Sequence, residues 1–209
     1  MFTKVVAVST IDKVSTVNMV STIYGDYDYG VTYFSVKAIV ERISKGGRVI
    51  TNIPLNRDAV GAYVKKKRGR FDASRLVLLN DAELTRSSPD VRFKARKALI
   101  VIRETPILND SKFYLALPYA ASMHKHYRQD WLFCVRDCDS PFSRKCFMYC
   151  GHAIRVMKGL LLKRYDCQGL EYVQGSYHFG AGFYDGVSYG RYFFDPEICE
   201  LIPSVEVNN

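Results

Sequence analysis

Short apolar runs, rich in β-branched residues and separated by helical patterns, constrain the fold more than any other feature of this sequence. Five runs are predicted to be strands, at residues 17–25, 47–55, 97–104, 131–137 and 152–159. Residues 32–47 and 140–151 are predicted to be helices, and Gly46 and Gly47 end the first of them. Continuous apolar strands are typical of parallel sheets that are buried on both faces. The pattern therefore predicts an α/β fold with an open, mainly parallel sheet and flanking helices.

The segments between these elements are predicted to be less regular. Residues 56–75 are expected to form an exposed basic connection, because they contain the run KKKRGR at 65–70. Residues 80–96 are polar and are expected to be irregular or partly helical. Residues 111–129 predict a helix that is interrupted near Pro118, since proline removes a helical hydrogen bond.

The character of the chain changes after Gly159, where alternating polar and apolar residues are repeatedly cut by glycines. Such a pattern is typical of small β-hairpins. We therefore expect an α/β domain at residues 1–160 and a β-rich extension at residues 161–209 that packs on the same domain. Ten aromatic residues lie between Tyr165 and Phe194. They are expected to fill the hairpins, with stacking on single-stranded DNA as the alternative.

The composition excludes several classes of protein. Hydrophobic residues make up 48% of the chain, which is enough for a core and excludes a disordered protein. No apolar run approaches the roughly 18–20 residues that cross a bilayer, and the first ten residues do not resemble a secretory signal, so a cytoplasmic protein with reduced cysteines is expected. The net charge of +9 favours phosphate-rich partners or an anionic membrane surface.

The turn between the first strand and the first helix, GDYDYGVT at residues 25–32, carries the clearest motif. Gly25, Gly30 and Thr32 have the spacing of the phosphate-binding loop G-x-x-x-x-G-K-[ST]. Val31 occupies the position of the lysine. The loop therefore keeps its frame and lacks the cation that would contact phosphate.

Several segments in the same order resemble the N-terminal, cytoplasmic domain of the zonular occludens toxin family, the assembly ATPases of filamentous bacteriophages. They are the loop frame at 25–32, RVITNIPLN at 48–56, ALIVIRE at 98–104, HKHYRQDW at 124–131, and GSYHFGAGFYDG and RYFFDPEICEL between 175 and 201. This resemblance covers most of residues 17–201. It implies a P-loop NTPase-like fold and a role in virion assembly and export at the host inner membrane.

The departures from the family pattern lie at the nucleotide-binding positions. The family loop is rich in glycine, whereas this loop contains Asp26 and Asp28. Arg103 stands where the resemblance places the aspartate that holds magnesium, while Glu104 keeps the position of the catalytic carboxylate. Arg136 replaces a glutamine that the family often carries near the γ-phosphate.

These changes predict a degenerate, non-hydrolysing nucleotide site. Its residues are Gly25, Asp26, Asp28, Gly30, Val31, Thr32, Arg103 and Arg136. We expect Arg103 to lie beside Thr32 and to pair with Asp26 or Asp28, so that it fills the space of magnesium and phosphate. An active ATPase with an atypical loop is the alternative, in which case ATP and magnesium bind; otherwise no cofactor is expected.

The partners are predicted from the resemblance and from the charges. Other phage assembly proteins are expected, either a membrane-spanning ATPase or further copies of this chain, with the protein in the host cytoplasm and peripheral to the inner membrane. Lys65, Lys66, Lys67 and Arg68 are expected to contact an anionic membrane or phosphate, with a solvated basic loop as the alternative. Phage single-stranded DNA is a further candidate partner.

No metal site is predicted. The cysteines at 134, 138, 146 and 150 form C-x3-C-x7-C-x3-C, which superficially suggests zinc. However, Cys134 lies within an apolar strand, where a thiol is usually a small buried hydrophobic group.

Overall fold

The computed structural model describes residues 20–25, 30–67, 69–84, 95–110, 121, 124–136, 139–157, 160–165, 171–173, 176–178, 186–191 and 196–201. The strands are Val20–Tyr24 (β1), Arg48–Thr51 (β2), Leu76–Leu78 (β3), Ala98–Arg103 (β4), Asp130–Val135 (β5), His152–Met157 (β6), Leu160–Tyr165 (β7), Glu171–Val173 (β8), Ser176–His178 (β9) and Gly186–Arg191 (β10). The helices are Val31–Ser44 (α1), Arg57–Lys66 (α2), Asp81–Leu84 (α3), His124–Tyr127 (α4), Pro141–Tyr149 (α5) and Pro196–Cys199 (α6). Two 3-10 helices lie at Ala73–Arg75 and Pro106–Asn109.

Eight of these strands form one sheet in the order β10-β7-β6-β1-β5-β4-β2-β3. The six strands from β6 to β3 are parallel, and β7 and β10 continue the sheet in antiparallel orientation. β8 and β9 form a separate antiparallel pair. The predicted open, mainly parallel sheet with flanking helices and a C-terminal hairpin is therefore confirmed.

Side chains alternate between the two faces along each strand, so the apolar strands present an apolar surface on both faces. Helices cover both of these surfaces. The α1-side cluster contains Ile23, Val31, Ile39, Val101, Leu132 and Ile198, among others. The α5-side cluster contains Ile100, Trp131, Phe133, Phe142 and Phe147, among others. β5 is buried at all six positions, as expected for a central parallel strand.

The prediction of an exposed connection at residues 56–75 is wrong, because this segment contains α2 and a 3-10 helix that leads into β3. The side chain of Asn56 caps α2 by accepting hydrogen bonds from the backbone N–H groups of Asp58 and Ala59. Val60 and Val64 lie four residues apart and are fully buried on one face of the helix. The basic residues that suggested a loop lie on the exposed side and at the C-terminal end of this helix.

Two other predicted segments are described only in part. α3 provides the helical portion expected within residues 80–96, and residues 85–94 lie outside the described residues. The predicted interruption near Pro118 also lies outside them. α6 packs near α1, where Ile198 and Leu201 join the α1-side cluster. In the described part of the chain, no helix is long and apolar enough to cross a membrane.

Candidate phosphate-loop site

The candidate site lies at the carboxyl edge of the parallel strands, where β1, β4, β5 and β6 end and α1 begins. Cys134 in β5 is in register with Ile23 in β1 on one side and with Arg103 in β4 on the other. β5 therefore separates β4 from β1, so the backbones of Arg103 and Ile23 lie about 10 Å apart, two strand spacings. A strand thus intervenes between β4 and the strand that leads into the loop, and the expectation that the Arg103 side chain lies beside Thr32 stays a prediction.

The two glycines of the loop frame both have backbone conformations that favour glycine. Gly25 has φ of 133° and Gly30 has φ of 98°. A Cβ atom on Gly25 would lie 2.3 Å from the carbonyl oxygen of Val156 in β6, which is too close for any other residue. The sheet therefore requires the first glycine for packing, and the start of α1 requires the second for its backbone angle.

Val31, at the position of the phosphate-binding lysine, is fully buried. Its exposed fraction is 0%, and it belongs to the α1-side cluster. Ser35 donates a hydrogen bond to the carbonyl oxygen of Val31 at 2.7 Å. This position therefore serves the apolar core and supplies no cation to the loop.

Thr32 keeps a feature that fits a phosphate or metal ligand. The residue is 6% exposed, and its Oγ1 is buried and makes no hydrogen bond with the described part of the chain. Gly30 is the N-cap residue of α1 and provides no side-chain cap, and the helix has no acidic residue in its first turn. The helix N-terminus and the threonine hydroxyl fit an anion, because N–H groups and the helix dipole favour negative charge there.

Arg103 does not fit a magnesium site, since magnesium requires oxygen ligands. Its backbone N–H donates to Asn52 Oδ1 at 2.7 Å, and its carbonyl oxygen accepts from Asn52 Nδ2 at 2.8 Å. The amide of Asn52 thereby extends the pairing of β2 with β4 by one step. The side chain of Arg103 is partly buried, with its Nε atom inaccessible to solvent, and it lies on the α1 side of the sheet with Cys134.

Cys134 sits in the middle of this arrangement and is unreactive in character. Burial raises the pKa of its thiol to about 12, although a hydrogen bond with Ser35 and the charge of Arg103 act in the opposite direction. Ser35 Oγ and Cys134 Sγ lie 2.8 Å apart. A thiol that stays protonated is neither a nucleophile nor a metal ligand at neutral pH.

The carboxylate of Glu104 is held by three hydrogen bonds. Oε1 accepts from Asn109 Nδ2 at 2.9 Å, and Oε2 accepts from the Arg136 backbone N–H at 3.1 Å and from Ser143 Oγ at 3.3 Å. Asn109 also accepts a hydrogen bond from the Phe142 backbone N–H. Glu104 thus ties β4 and β5 to the start of α5, on the opposite side of the sheet from α1.

Several predicted residues cannot be compared with the structure. Asp26 and Asp28 lie outside the described residues, so their pairing with Arg103 remains a prediction. Arg136 is exposed, and its backbone rather than its side chain contacts Glu104 in the bond given above.

Asn52 is a site residue that the sequence analysis misses, although an asparagine directly after an apolar strand is the available signal.

The basic run at the end of α2 is partly engaged within the protein. Glu197 in α6 accepts a hydrogen bond from Lys66 Nζ at 2.9 Å and forms an ion pair with Lys67 Nζ at 3.4 Å, and the Lys66 hydrogen bond is the main cause of the lowered pKa of this carboxyl. Lys65 is exposed, and Arg68 lies outside the described residues. Two lysines of the surface that was expected to bind phosphate or a membrane therefore form ion pairs with an acidic side chain of the protein itself.

The cysteines do not form a zinc site in the described part of the chain. Cys134 belongs to the α1-side cluster, whereas Cys146 and Cys150 belong to the α5-side cluster. Cys138 lies outside the described residues. No group of three or more potential metal ligands occurs among the residues that the structure describes.

Comparisons with known proteins identify the fold. The RadB recombinase matches with a TM-score of 0.52 and 13% identity, over 88% of this chain and 93% of that protein. The chain has a P-loop NTPase-like α/β fold. The ATPase domain of a helicase matches with a TM-score of 0.48 and 10% identity, over 82% of this chain and 80% of that domain.

No family model and no curated protein matches the chain. The resemblance to the zonular occludens toxin family therefore rests on the sequence segments alone. The match to the RadB recombinase, at 13% identity, shows the P-loop NTPase-like fold and carries no conclusion about substrate or partner.

Proposed function

We propose that the chain is a non-hydrolysing component of virion assembly and export in a filamentous phage. The buried Val31 is the observation that carries the loss of hydrolysis, because it places an apolar core residue where the P-loop lysine contacts phosphate. The order of the segments between residues 25 and 201 supports the phage role.

Two further residues support a site without hydrolysis. Arg103 puts a positive charge where magnesium would need a carboxylate. Glu104, the candidate catalytic base, is an acceptor of three hydrogen bonds that link it to α5. These bonds hold the carboxylate on the α5 side of the sheet, away from a phosphate at the start of α1.

Binding of ATP without turnover is a second candidate function. The specific observation in its favour is the buried Thr32 hydroxyl, which no described residue hydrogen-bonds, next to the uncapped start of α1. Thr32 and the first N–H groups of α1 would then hold the phosphates. Magnesium has no part in this mode of ATP binding, because Arg103 occupies the position of the carboxylate that would hold the metal.

A non-hydrolysing subunit needs a partner that supplies energy for export. We propose a membrane-spanning ATPase of the same assembly system, or other copies of this chain, in the host cytoplasm at the inner membrane. Lys65 and its neighbours in the basic run are the proposed contact with anionic lipid.

The decisive experiment measures phosphate release and isothermal titration with Mg-ATP for the natural protein and for Val31→Lys. We expect no phosphate above background from either protein. The variant stays inactive because Arg103 and the loop aspartates remain, and because its ammonium replaces a fully buried apolar side chain.

The two candidate functions give different titrations. Heat on addition of ATP that Thr32→Val removes would support binding without turnover, whereas no heat would support a purely structural role. Phosphate release by the natural protein that Glu104→Gln abolishes would overturn both and establish an active ATPase.

A further inference from the structure

The edge of the sheet opposite the loop carries a row of basic residues. Four adjacent strands each begin at a cation or within two residues after one, in the spatial order Arg128, Lys97, Arg48 and Arg75. We call these four residues the cationic row. Neighbouring strands are about 4.8 Å apart, so the row extends about 15 Å across β5, β4, β2 and β3.

The strand register shows that these residues lie at nearly the same level. Arg48 is opposite Ala98, the residue after Lys97. Leu99 is opposite Asp130, which places Lys97 level with Arg128. The Lys97 backbone N–H donates to the carbonyl oxygen of Tyr127 at 3.1 Å, so the two segments are in contact. The row is therefore a continuous line of cations rather than a scatter of surface charges.

The backbone at two of these residues is held in an uncommon conformation. Lys97 has φ of 56° and Arg128 has φ of 53°, both in the left-handed region. Few residues other than glycine, asparagine and aspartate adopt it. Such conformations persist where the surrounding structure enforces them, and they cluster at functional sites. Here they present two long cations side by side.

Arg75, at the end of the row, forms an ion pair with Asp72 at 3.3 Å, whereas the acidic group nearest to the other three members does not neutralise them. Asp130 is buried and forms an ion pair with Arg42 at 3.1 Å, and Arg42 also donates to the Lys97 carbonyl oxygen at 3.0 Å. Among the described residues, the exposed side chains of Arg48, Lys97 and Arg128 take part in no hydrogen bond or ion pair. Their charge is available to an external anion.

A polyanionic chain fits this surface better than a lipid bilayer. The row is linear, and three of its four members are arginines, whose planar donors match phosphate oxygens. Within the described part of the chain, the exposed large apolar residues are Met148 and Tyr149, at the end of α5 and outside the row. The row itself thus lacks the apolar side chains that insert into a membrane.

We propose that this edge binds the phosphodiester backbone of a single nucleic-acid strand, with Arg128, Lys97 and Arg48 contacting successive phosphates. The proposal goes beyond the proposed function and does not depend on whether the loop binds ATP. It also differs in place from the C-terminal aromatic residues considered from the sequence.

The test uses fluorescence anisotropy with a labelled oligothymidylate of about thirty nucleotides, titrated with the full chain at several salt concentrations. The row variant combines Arg48→Gln, Lys97→Asn and Arg128→Asn, because asparagine tolerates positive φ. We expect its Kd at about 50 mM salt to rise at least about tenfold, and the slope of log affinity against log salt to fall by about 2, since each phosphate contact contributes about 0.7.

The control variant removes three exposed cations from near the opposite edge. Arg57 begins α2, Arg144 lies in the first turn of α5, and Arg155 is in register with Tyr24 at the end of β1. Replacing these three with glutamine lowers the net charge equally and should leave the Kd within about twofold of the natural protein. Melting temperatures of both variants that equal that of the natural protein exclude a folding defect.

Three results would overturn the proposal. The first is a natural protein that does not bind the oligonucleotide at low salt. The second is an equal loss of affinity in the row and control variants, which would indicate a general effect of net charge. The third is binding to vesicles of about one-third phosphatidylserine that the row variant abolishes, with no binding to the oligonucleotide, which would make the edge a membrane surface.

Discussion

Thr32 and Thr51 are two buried threonines with opposite hydrogen-bonding states. Within the described part of the chain, the Oγ1 of Thr32 makes no hydrogen bond, whereas the Oγ1 of Thr51 accepts the backbone N–H of Ile53 at 3.1 Å. Both are at least nine-tenths buried. A buried hydroxyl without a partner costs free energy, and one with a partner contributes it. The Thr32 hydroxyl therefore destabilises the fold, and a ligand that hydrogen-bonds to it would offset this cost in free energy.

This contrast predicts opposite effects of the same substitution. Thr32→Val should raise the free energy of unfolding by about 1 kcal/mol, because it removes an unsatisfied hydroxyl with little change in volume. Thr51→Val should lower it by about 1–2 kcal/mol, because the Ile53 N–H loses its acceptor. Urea unfolding of the two variants measures both values. A loss of stability in Thr32→Val would show that its hydroxyl is satisfied in solution.

At the scale of the element, α2 shows how one side chain can define a helix. Asn56 accepts hydrogen bonds from two of the backbone N–H groups that every helix leaves without internal partners at its start. Basic residues at the opposite end, including Lys65 and Lys66, complement the helix dipole. The helix therefore has a favourable group at each end, although only a narrow apolar stripe packs on the protein.

Removing the cap should destabilise the protein by a small and specific amount. Asn56→Ala is expected to cost about 1 kcal/mol of unfolding free energy, and Asn56→Asp to cost much less, since aspartate caps equally well. Chemical denaturation of both variants separates the loss of the cap from the loss of the side chain. Equal destabilisation by the two would contradict a capping role.

The local pattern of the sequence predicts elements with long apolar runs and misses those without them. The strand at 97–104 and the helix at 32–47 are predicted to within a few residues, because burial on one or both faces dictates their composition. β3 is missed, since Leu76 is the only fully buried position among its three residues. α2 is missed because Val60 and Val64 stand among charged residues.

The site is predictable only where it depends on contiguous residues. The spacing of Gly25 and Gly30 identifies the loop, since both glycines act through their own backbone angles. The contact of Asn52 with Arg103 and the bonds of Glu104 depend on which strands are neighbours. Strand order comes from packing of the whole sheet, so no local pattern indicates these partners.

At the scale of the whole molecule, β5 is the centre of the structure. It pairs with β1 on one side and with β4 on the other, and all six of its residues are buried. β3 lies at the edge of the sheet with three residues, two of them partly exposed. Local opening requires exposure of buried surface, so its free energy should rise from the edge to the centre.

This arrangement predicts a gradient of amide hydrogen exchange across the parallel strands. Amides of β5 should exchange slowest, at a rate set by global unfolding, and those of β3 should exchange faster through local opening. Mass spectrometry of peptides that cover each strand measures this gradient. Equal protection of β3 and β5 would instead indicate that the sheet opens as a single unit.

Helix α1 joins the two edges of the molecule. Its fourteen residues span about 21 Å, from Gly30 at the loop to the last turn, where Arg42 contacts both Asp130 and the backbone of Lys97. An anion that shifts α1 as one unit from its first turn would also displace its last turn. Thermodynamic linkage then requires reciprocity: an occupant of the loop that changes the affinity of the cationic row by some factor has its own affinity changed by the same factor.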